Sequence, residues 1–342
     1  MRARMGETMK FYVPFIMVLA VIFSSWADDL ARFSPDFSNT KIFWSAPTNN
    51  LPKQFWIYKR LPVCPFSATV ISNAIILASL QSKGFPKPST NDCFYYEDKG
   101  PNYPGVIPVY FLIRPESATI SYWFPNRGTN TADIPADKMI VRRARVCAAQ
   151  LGVDPAQIEF KEMTSSFNQD EDANDLTNQV CGRGVFLSRK LDGILFWSDG
   201  TEDGNFDGFW MEFGSHGQIR AFSLICPELE RVELQSAASP QQIIACIRAF
   251  KTITLPNRSE QDYFARLKNL SKARKLIITK ITPYYREGTW GEMPTNGEPL
   301  RLITPIAEIE AIADFGTSNG NVRLFSPIIS ADADRLLAGK QK

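Results

Sequence analysis

The chain has 342 residues, 44% of them hydrophobic, so it is long and apolar enough to bury a substantial core and is not a disordered protein. Its net charge of +2 comes from 38 basic and 36 acidic residues, and this balance lacks the strong basic excess of nucleic-acid-binding proteins. We therefore expect no nucleic-acid partner, and without a Walker motif the chain lacks the usual phosphate cradle for a nucleotide.

The N-terminus predicts a secretory signal peptide over residues 1–27. Three basic residues within the first ten precede an apolar run of 13 residues, 11–23, and small residues follow at Ser25 and Ala27. This order of basic, apolar and small-x-small segments is that of a signal peptide, and the apolar run is short for a membrane span. An uncleaved anchor is the alternative. We expect a secreted or periplasmic protein that begins near Asp28 and has no stable membrane span after cleavage.

Helical patterns occur four times along the rest of the chain, at residues 66–84, 136–151, 239–250 and 259–270. The first pattern is apolar over most of its circumference and ends at a glycine, which is typical of a buried helix. The third opens with Ser239, Pro240 and Gln242, which is a capping box with proline at the first helical position.

Strand patterns are more numerous and rich in β-branched and aromatic residues. They cover residues 54–61, 109–115, 118–124, 185–191, 194–198, 209–213, 219–225, 275–282, 306–315 and 322–329. Within 306–315 small and apolar residues alternate with acidic ones, which favours an antiparallel sheet with one buried face. The short loops at 114–118 and 214–217 indicate hairpins. The predicted fold class is α+β, with antiparallel sheets each packed by helices.

The order of these elements repeats, which predicts two modules with a similar ββα order. The first repeat uses residues 109–114, 118–124 and 136–151, and the second uses 208–213, 218–225 and 239–250. We expect an N-terminal module at 28–163, a polar acidic linker at 164–180 and a C-terminal module at 181–342. In element order alone, each module resembles small exported modules of the PepSY and cystatin type, which implies a helix packed on an antiparallel sheet.

Six cysteines follow the predicted signal peptide, at Cys64, Cys93, Cys147, Cys181, Cys226 and Cys246. An even number in an exported chain permits disulfides, and the chain has no CxxC motif for a redox or zinc site. The pairs Cys64–Cys93 and Cys226–Cys246 are favoured because each closes a local loop. Buried free thiols are the alternative.

Residues 197–219 contain the segment most like a metal motif. Oxygen-donor side chains stand at Asp203, Asn205 and Asp207 before a glycine, which matches the start of an EF-type calcium loop. The twelfth loop position is Gly214 instead of glutamate, and a strand pattern follows instead of a helix. An EF-hand is therefore not expected. A looser calcium site would use Asp199 together with those three residues, and a long turn between strands is the alternative.

The same region offers carboxylates for hydrolysis of a polymer. Paired acids across a cleft suffice for glycoside hydrolysis, and the nearby acids are Glu202, Asp203, Asp207 and Glu212. The aromatic residues proposed to stack on a sugar are Trp197, Trp210 and Trp290, whereas the alternative places the acids in solvent and the tryptophans in the core. The single histidine, His216, is predicted at a hairpin tip, where a solvated turn residue is expected instead of a catalytic base.

A second candidate surface lies at residues 282–292. Tyr284, Tyr285, Arg286 and Trp290 are of the residue types enriched at binding hot spots, although strand-end aromatics packed on the sheet would give the same pattern. We expect an exported, non-enzymatic binding or structural protein of the cell envelope or extracellular space, whose partner is a protein, a peptide or a surface polymer. A carboxylate-dependent hydrolase of an extracellular polymer and a calcium-stabilised adhesive module are the alternatives. No cofactor is expected, although the calcium-stabilised module would bind calcium.

Overall fold

The structure is a computed structural model of the chain, and it describes residues 35–47, 51–80, 93–98, 109–124, 133–167, 180–196, 207–249, 252, 269–287 and 302–338. Contacts divide the chain into two compact units, one made of Met1–Lys59 and Arg231–Lys342 and the other of Arg60–Glu230. These units differ in their limits from the predicted modules. The predicted linker falls within the second unit, and its residues 168–179 lie outside the described residues, as does the predicted signal peptide.

Strands outnumber helices among the described elements. The strands are β1 (Lys41–Trp44), β2 (Gln54–Arg60), β3 (Phe94–Asp98), β4 (Val109–Arg114), β5 (Thr119–Trp123), β6 (Ile158–Phe167), β7 (Val180–Leu191), β8 (Ile194–Leu195), β9 (Gly208–Phe213), β10 (Ile219–Ile225), β11 (Leu229–Ser236), β12 (Lys275–Glu287), β13 (Leu302–Asp314) and β14 (Asn319–Pro327). The helices are α1 (Ala68–Leu77), α2 (Asp137–Gln150), α3 (Pro240–Arg248) and α4 (Ser330–Ala338).

Three of the predicted helices are present, and local capping explains where two of them begin. The Ser67 side chain accepts a hydrogen bond from the Val70 amide at the start of α1. The predicted capping box of α3 is confirmed, because Ser239 and Gln242 each bond the backbone of the other. Residues 259–268 of the fourth predicted helix lie outside the described residues.

The first unit contains a six-stranded sheet, which we call sheet A. Its strand order is β1-β12-β13-β2-β11, and β14 also pairs with β13. β1 runs parallel to β12, whereas β13 is antiparallel to β2, β12 and β14. The predicted alternation along β13 is present on its apolar face, where Ala307, Ile309, Ala311 and Ala313 are buried.

The second unit contains an eight-stranded sheet, which we call sheet B, and its described strands pair antiparallel throughout. Its strand order is β3-β4-β5-β10-β9-β7-β6, and β8 pairs with β7. Both predicted hairpins are present, each with a short 3-10 turn, at Pro115–Ser117 and Ser215–Gly217. The antiparallel α+β class is therefore confirmed.

The repeated ββα order of the two predicted modules is not confirmed. β4, β5 and α2 follow one another as expected, but β11 intervenes between β10 and α3. The two predicted hairpins also belong to one sheet, because β5 pairs directly with β10, with Ser121 opposite Ser223. This pairing joins strands about a hundred residues apart, and no local sequence pattern announces it.

All six cysteines are free thiols, so neither predicted disulfide is present in the structure. Cys64 and Cys226 belong to the second unit, whereas Cys246 lies in α3 of the first. Within the described ranges, no helix has both the length and the apolar character that a membrane crossing requires.

Candidate functional site

The predicted aromatic surface at 282–292 is divided by the alternation of β12. Tyr285 is fully buried, its hydroxyl donates to the Trp56 carbonyl at 3.0 Å, and its ring meets Tyr58 edge-on at 5.4 Å. Tyr284 and Arg286 are half-buried neighbours on the strand, and Trp290 lies outside the described residues. Tyr285 is thus a core residue of sheet A by geometry, and the binding role of the set stays a prediction.

The Tyr284 hydroxyl lies in a polar cluster on sheet A. Burial raises the pKa of Tyr284 to about 12, a hydrogen bond and charge repulsion from Glu308 act in the same direction, and Arg323 opposes them. Glu308 is itself 7% exposed and forms an ion pair with Arg323. Burial also shifts the pKa of Arg286, in this case downward because burial disfavours the charged guanidinium. The Arg286 Nε donates to the Glu287 carbonyl at 3.3 Å.

Only Asp207 of the predicted calcium ligands is described, and Asp199, Asp203 and Asn205 lie outside the described residues. Asp207 is buried, and its carbonyl accepts a hydrogen bond from the Arg189 amide at 3.0 Å. Within the described part of the chain, no three His, Cys, Asp or Glu side chains are grouped closely enough to hold a metal ion. The calcium site stays a prediction.

His216 lies at the tip of the β9–β10 hairpin, as predicted. Its φ of +54° places it in the left-handed region, and its Nδ1 is 3.4 Å from an Asp133 carboxylate oxygen. Both side chains are largely exposed, with 71% and 68% of their surfaces accessible. This setting is that of a solvated turn residue.

The register of sheet B assembles a second candidate surface from residues that are far apart in sequence. Residues directly opposite in antiparallel strands share one face. One row across the sheet is Glu97, Tyr110, Trp123, Ala221, Glu212, Gly184 and Thr164. The adjacent row is Tyr95, Leu112, Ser121, Ser223, Trp210, Phe186 and Glu162. We call these two rows the aromatic face.

Four aromatic residues form a strip across this face. The indoles of Trp123 and Trp210 are stacked at 6.1 Å and 19°, and the Phe186 ring follows at 6.0 Å from Trp210. Tyr110 lies directly opposite Trp123 and extends the strip to β4. The two indoles meet above β10 because that strand carries only small side chains there, Ala221 and Ser223. All four rings are half-buried.

An ion pair lies along one side of the strip. The Glu212 carboxylate is 3.0 Å from Arg220 Nη1 and accepts a hydrogen bond from the Ser166 hydroxyl at 2.8 Å. Arg220 occupies a β-bulge in β10, which turns its guanidinium toward Glu212. The Glu212 side chain is only 5% exposed and that of Arg220 15%. Arg220 also donates to the Cys181 carbonyl at 3.0 Å.

Two glycines of β7 make room for these side chains. A Cβ at Gly184 would meet Thr164 Oγ1 and would lie 3.0 Å from Trp210 Nε1. A Cβ at Gly182 would meet the Glu212 carboxylate and would lie 2.7 Å from Arg220 Nη1. The indole and the carboxylate therefore lie directly against the backbone of β7, which only glycine permits at these two positions.

Hydroxyl groups are interspersed among the rings. Ser121 and Ser223 share a hydrogen bond at 3.0 Å beside the strip. Thr164 and Ser166 follow along β6, on the side of Gly184 and Gly182. The aromatic face therefore combines flat apolar surfaces with groups that donate and accept hydrogen bonds.

The opposite face of sheet B is apolar and covered by helices. Its buried strand residues include Phe111, Tyr122, Val185, Leu187, Phe209, Met211, Phe222 and Leu224. α1 and α2 add Ile71, Ala74, Ile140 and Ala144 to the same cluster. We call this the helix-covered face.

Sequence reasoning identified Trp210 and Glu212 on the aromatic face but missed Tyr110, Trp123 and Phe186. The alternation of residues along each strand was the signal that could have identified these three. In the segments of β4, β5 and β9, each aromatic or polar residue of this face follows a residue that points to the helix-covered face. What the pattern lacks is the pairing of β5 with β10, which brings the separate strands together.

None of the protein-family models matches the chain, and the search of curated proteins finds no match.

Proposed function

We propose that the unit of residues 60–230 binds an uncharged, hydroxyl-rich polymer, a polysaccharide of the cell envelope or extracellular space, on its aromatic face. The observation that carries the proposal is the stacked pair of Trp123 and Trp210, extended on both sides by Tyr110 and Phe186. Such a strip offers flat apolar area to the C–H faces of successive sugar rings. The hydroxyls of Ser121, Ser223 and Thr164 supply hydrogen-bond partners for the ring substituents.

The charges of this face favour a neutral polymer over a nucleic acid. Single-stranded nucleic acids also stack on aromatic rings, but their binding grooves are positively charged along the backbone path. Here the two rows carry Glu97, Glu162 and Glu212, and the neighbouring Arg220 is paired with Glu212. A phosphate backbone would meet net negative charge.

The environment of Glu212 favours binding over hydrolysis. Glycoside hydrolysis needs two carboxyl groups that face one bond across a cleft. The oxygens of Glu212 already accept from Arg220 and Ser166, which fixes the carboxylate as a structural partner. Export of the protein through the segment 1–27 is part of this proposal, because an extracellular polymer is reached only outside the cytoplasm.

Affinity electrophoresis tests the proposal directly. The protein is run through gels that contain soluble β-glucan, xylan or galactomannan, and we expect at least one of these polymers to retard it. Trp123→Ala and Trp210→Ala should each weaken the binding about 10-fold or more, because a stacked ring contributes about 1–3 kcal/mol in comparable systems.

The matched control is Phe43→Ala, which removes an aromatic ring that is 47% exposed on β1 of the other unit. This variant should bind as well as the wild type. Equal migration in all three polymers, or undiminished retardation of Trp123→Ala, would contradict the proposal. Stronger retardation by a polyanion such as heparin would overturn the assignment to a neutral polymer.

A further inference from the structure

Two cysteines of the unit 60–230 are fixed against the same turn. The Cys64 amide donates to the Pro115 carbonyl at 2.9 Å, and the Cys226 amide donates to the Ala118 carbonyl at 3.2 Å. The turn itself is closed by the Ala118 amide, which donates to the Pro115 carbonyl at 3.1 Å. A single four-residue turn therefore holds the backbones of both cysteines.

The Cys64 sulfur also contacts the segment that carries Cys226. The Glu228 amide donates to Cys64 Sγ at 3.1 Å, and the Leu61 amide donates to the Glu228 carbonyl at 3.0 Å. Residue 228 is two positions beyond Cys226, and two residues of extended chain span at most about 7 Å. The segments 61–64 and 226–228 thus lie side by side, and the Cα of Cys226 lies within about 9 Å of the Cys64 sulfur.

The two thiols interact electrostatically, and because the pKa of Cys226 is raised, its thiolate forms more readily in alkaline solution. Burial raises the pKa of the Cys226 thiol, Arg189 opposes this effect, and Asp207 and Cys64 add to it. Cys64 is 4% exposed, whereas Cys226 is half-buried. Cys226 is therefore the thiol that a small reagent reaches first.

We propose that Cys64 and Cys226 are a redox pair that forms a reversible intramolecular disulfide in exchange with a low-molecular-weight disulfide. The Cys226 thiolate attacks one sulfur of the reagent, so that a mixed disulfide forms and the first small thiolate leaves. The Cys64 thiolate then attacks the Cys226 sulfur, and the second small thiolate leaves. Two electrons pass to the reagent, and the two protons lost by the cysteines end on the two released thiols.

This pairing differs from the pairs that loop length favours, Cys64–Cys93 and Cys226–Cys246. It links two positions far apart in sequence, so it restricts the unfolded chain over most of the unit. We expect the oxidised protein to melt about 5–10 °C above the reduced protein.

Peptide mapping of the full chain tests the pair. The protein is incubated with oxidised glutathione, its remaining thiols are alkylated, and it is digested without reductant. The expected product is one linked pair of peptides that contain Cys64 and Cys226, and dithiothreitol should release it. In Cys64→Ser the first step should stop at the mixed disulfide, which adds one glutathionyl group to Cys226.

Cys147→Ser is the matched control, because Cys147 is a buried thiol of α2 in the same unit. This variant should still give the Cys64–Cys226 link, and Cys226→Ser should not. The wild-type map decides the outcome even where a variant fails to fold. Full alkylation of Cys64 and Cys226 after oxidation, or a link from either of them to another cysteine, would overturn the proposal.

Discussion

The two faces of sheet B are built from the same strands but differ in burial and chemistry. On β10, Phe222 on the helix-covered face is 1% exposed, whereas the adjacent Ser223 on the aromatic face is half-buried. On β9, Met211 is fully buried and the adjacent Trp210 is half-buried. Alternate positions of one strand thus have different roles. One set packs in the core beneath α1 and α2, and the other forms a polar and aromatic surface. Substitutions of neighbouring residues can therefore test the comparison.

The largest effect is expected from removing a ring on the helix-covered face. Phe222 packs 5.6 Å from Tyr122 and 6.4 Å from Phe209, measured between ring centroids. Phe222→Ala should lower the free energy of unfolding by about 4 kcal/mol, because it leaves a cavity in a close-packed core. Ser223→Ala, the adjacent residue on the aromatic face, should lower it by about 1 kcal/mol through loss of the bond to Ser121. Urea unfolding measures both values, and similar losses would refute the contrast.

A smaller effect should follow from breaking the buried ion pair of the aromatic face. Glu212→Gln leaves the Arg220 guanidinium, 15% exposed, without its ionised partner, and should destabilise the protein by about 3 kcal/mol. The control is Glu310→Gln in sheet A, where Glu310 pairs with Lys280 at 2.7 Å and both side chains are exposed. That change should shift stability by less than about 0.5 kcal/mol. Equal shifts would show that burial of the Glu212 pair has no energetic consequence.

The smallest effect appears only in alkaline solution. Burial raises the pKa of Tyr122 on the helix-covered face to about 12 from 10.0. Between pH 10.0 and about 12 the unfolded chain loses the phenol proton of Tyr122, whereas the folded chain keeps it. This proton therefore leaves the free energy of unfolding unchanged below pH 10.0 and lowers it as the pH rises to about 12. The loss amounts to about 2–3 kcal/mol.

Tyr122→Phe should therefore flatten the dependence of unfolding free energy on pH in this window. Tyr110→Phe is the counterpart on the aromatic face, where burial also raises the pKa of the phenol. Since Tyr110 is half-buried, its removal should flatten the curve less. Denaturant titrations at a series of pH values from about 9 to 12 provide the measurement. If the unfolding free energy of Tyr122→Phe falls with pH as steeply as that of the wild type, the raised pKa of Tyr122 is contradicted.

Local sequence patterns predicted the local part of this fold. The helix at 239–250 followed from Ser239 and Gln242, which form the expected capping box. The hairpins followed from loops too short for any other connection, and the tip position of His216 came with them. Antiparallel pairing followed from the alternation in 306–315, which β13 shows on its apolar face.

The remaining parts depend on interactions that local patterns do not contain. β11 was missed because most of its residues are exposed and polar, so it has no buried face to announce it. The aromatic face was missed as a whole because it requires Trp123 to meet Trp210 above β10. A stretch of sequence specifies which residues of a strand share a face, but the neighbour of that strand is chosen by packing across the whole unit.

The glycines of β7 have a consequence for how this sequence can vary. Gly182 and Gly184 are matched to large partners on neighbouring strands, Glu212 with Arg220 and Trp210 with Thr164. A side chain at position 184 would be tolerated only if positions 164 and 210 both became smaller at the same time. Among divergent copies of this protein, glycine at 184 and tryptophan at 210 should therefore covary. This pair of positions would allow the aromatic face to be recognised from sequence alone.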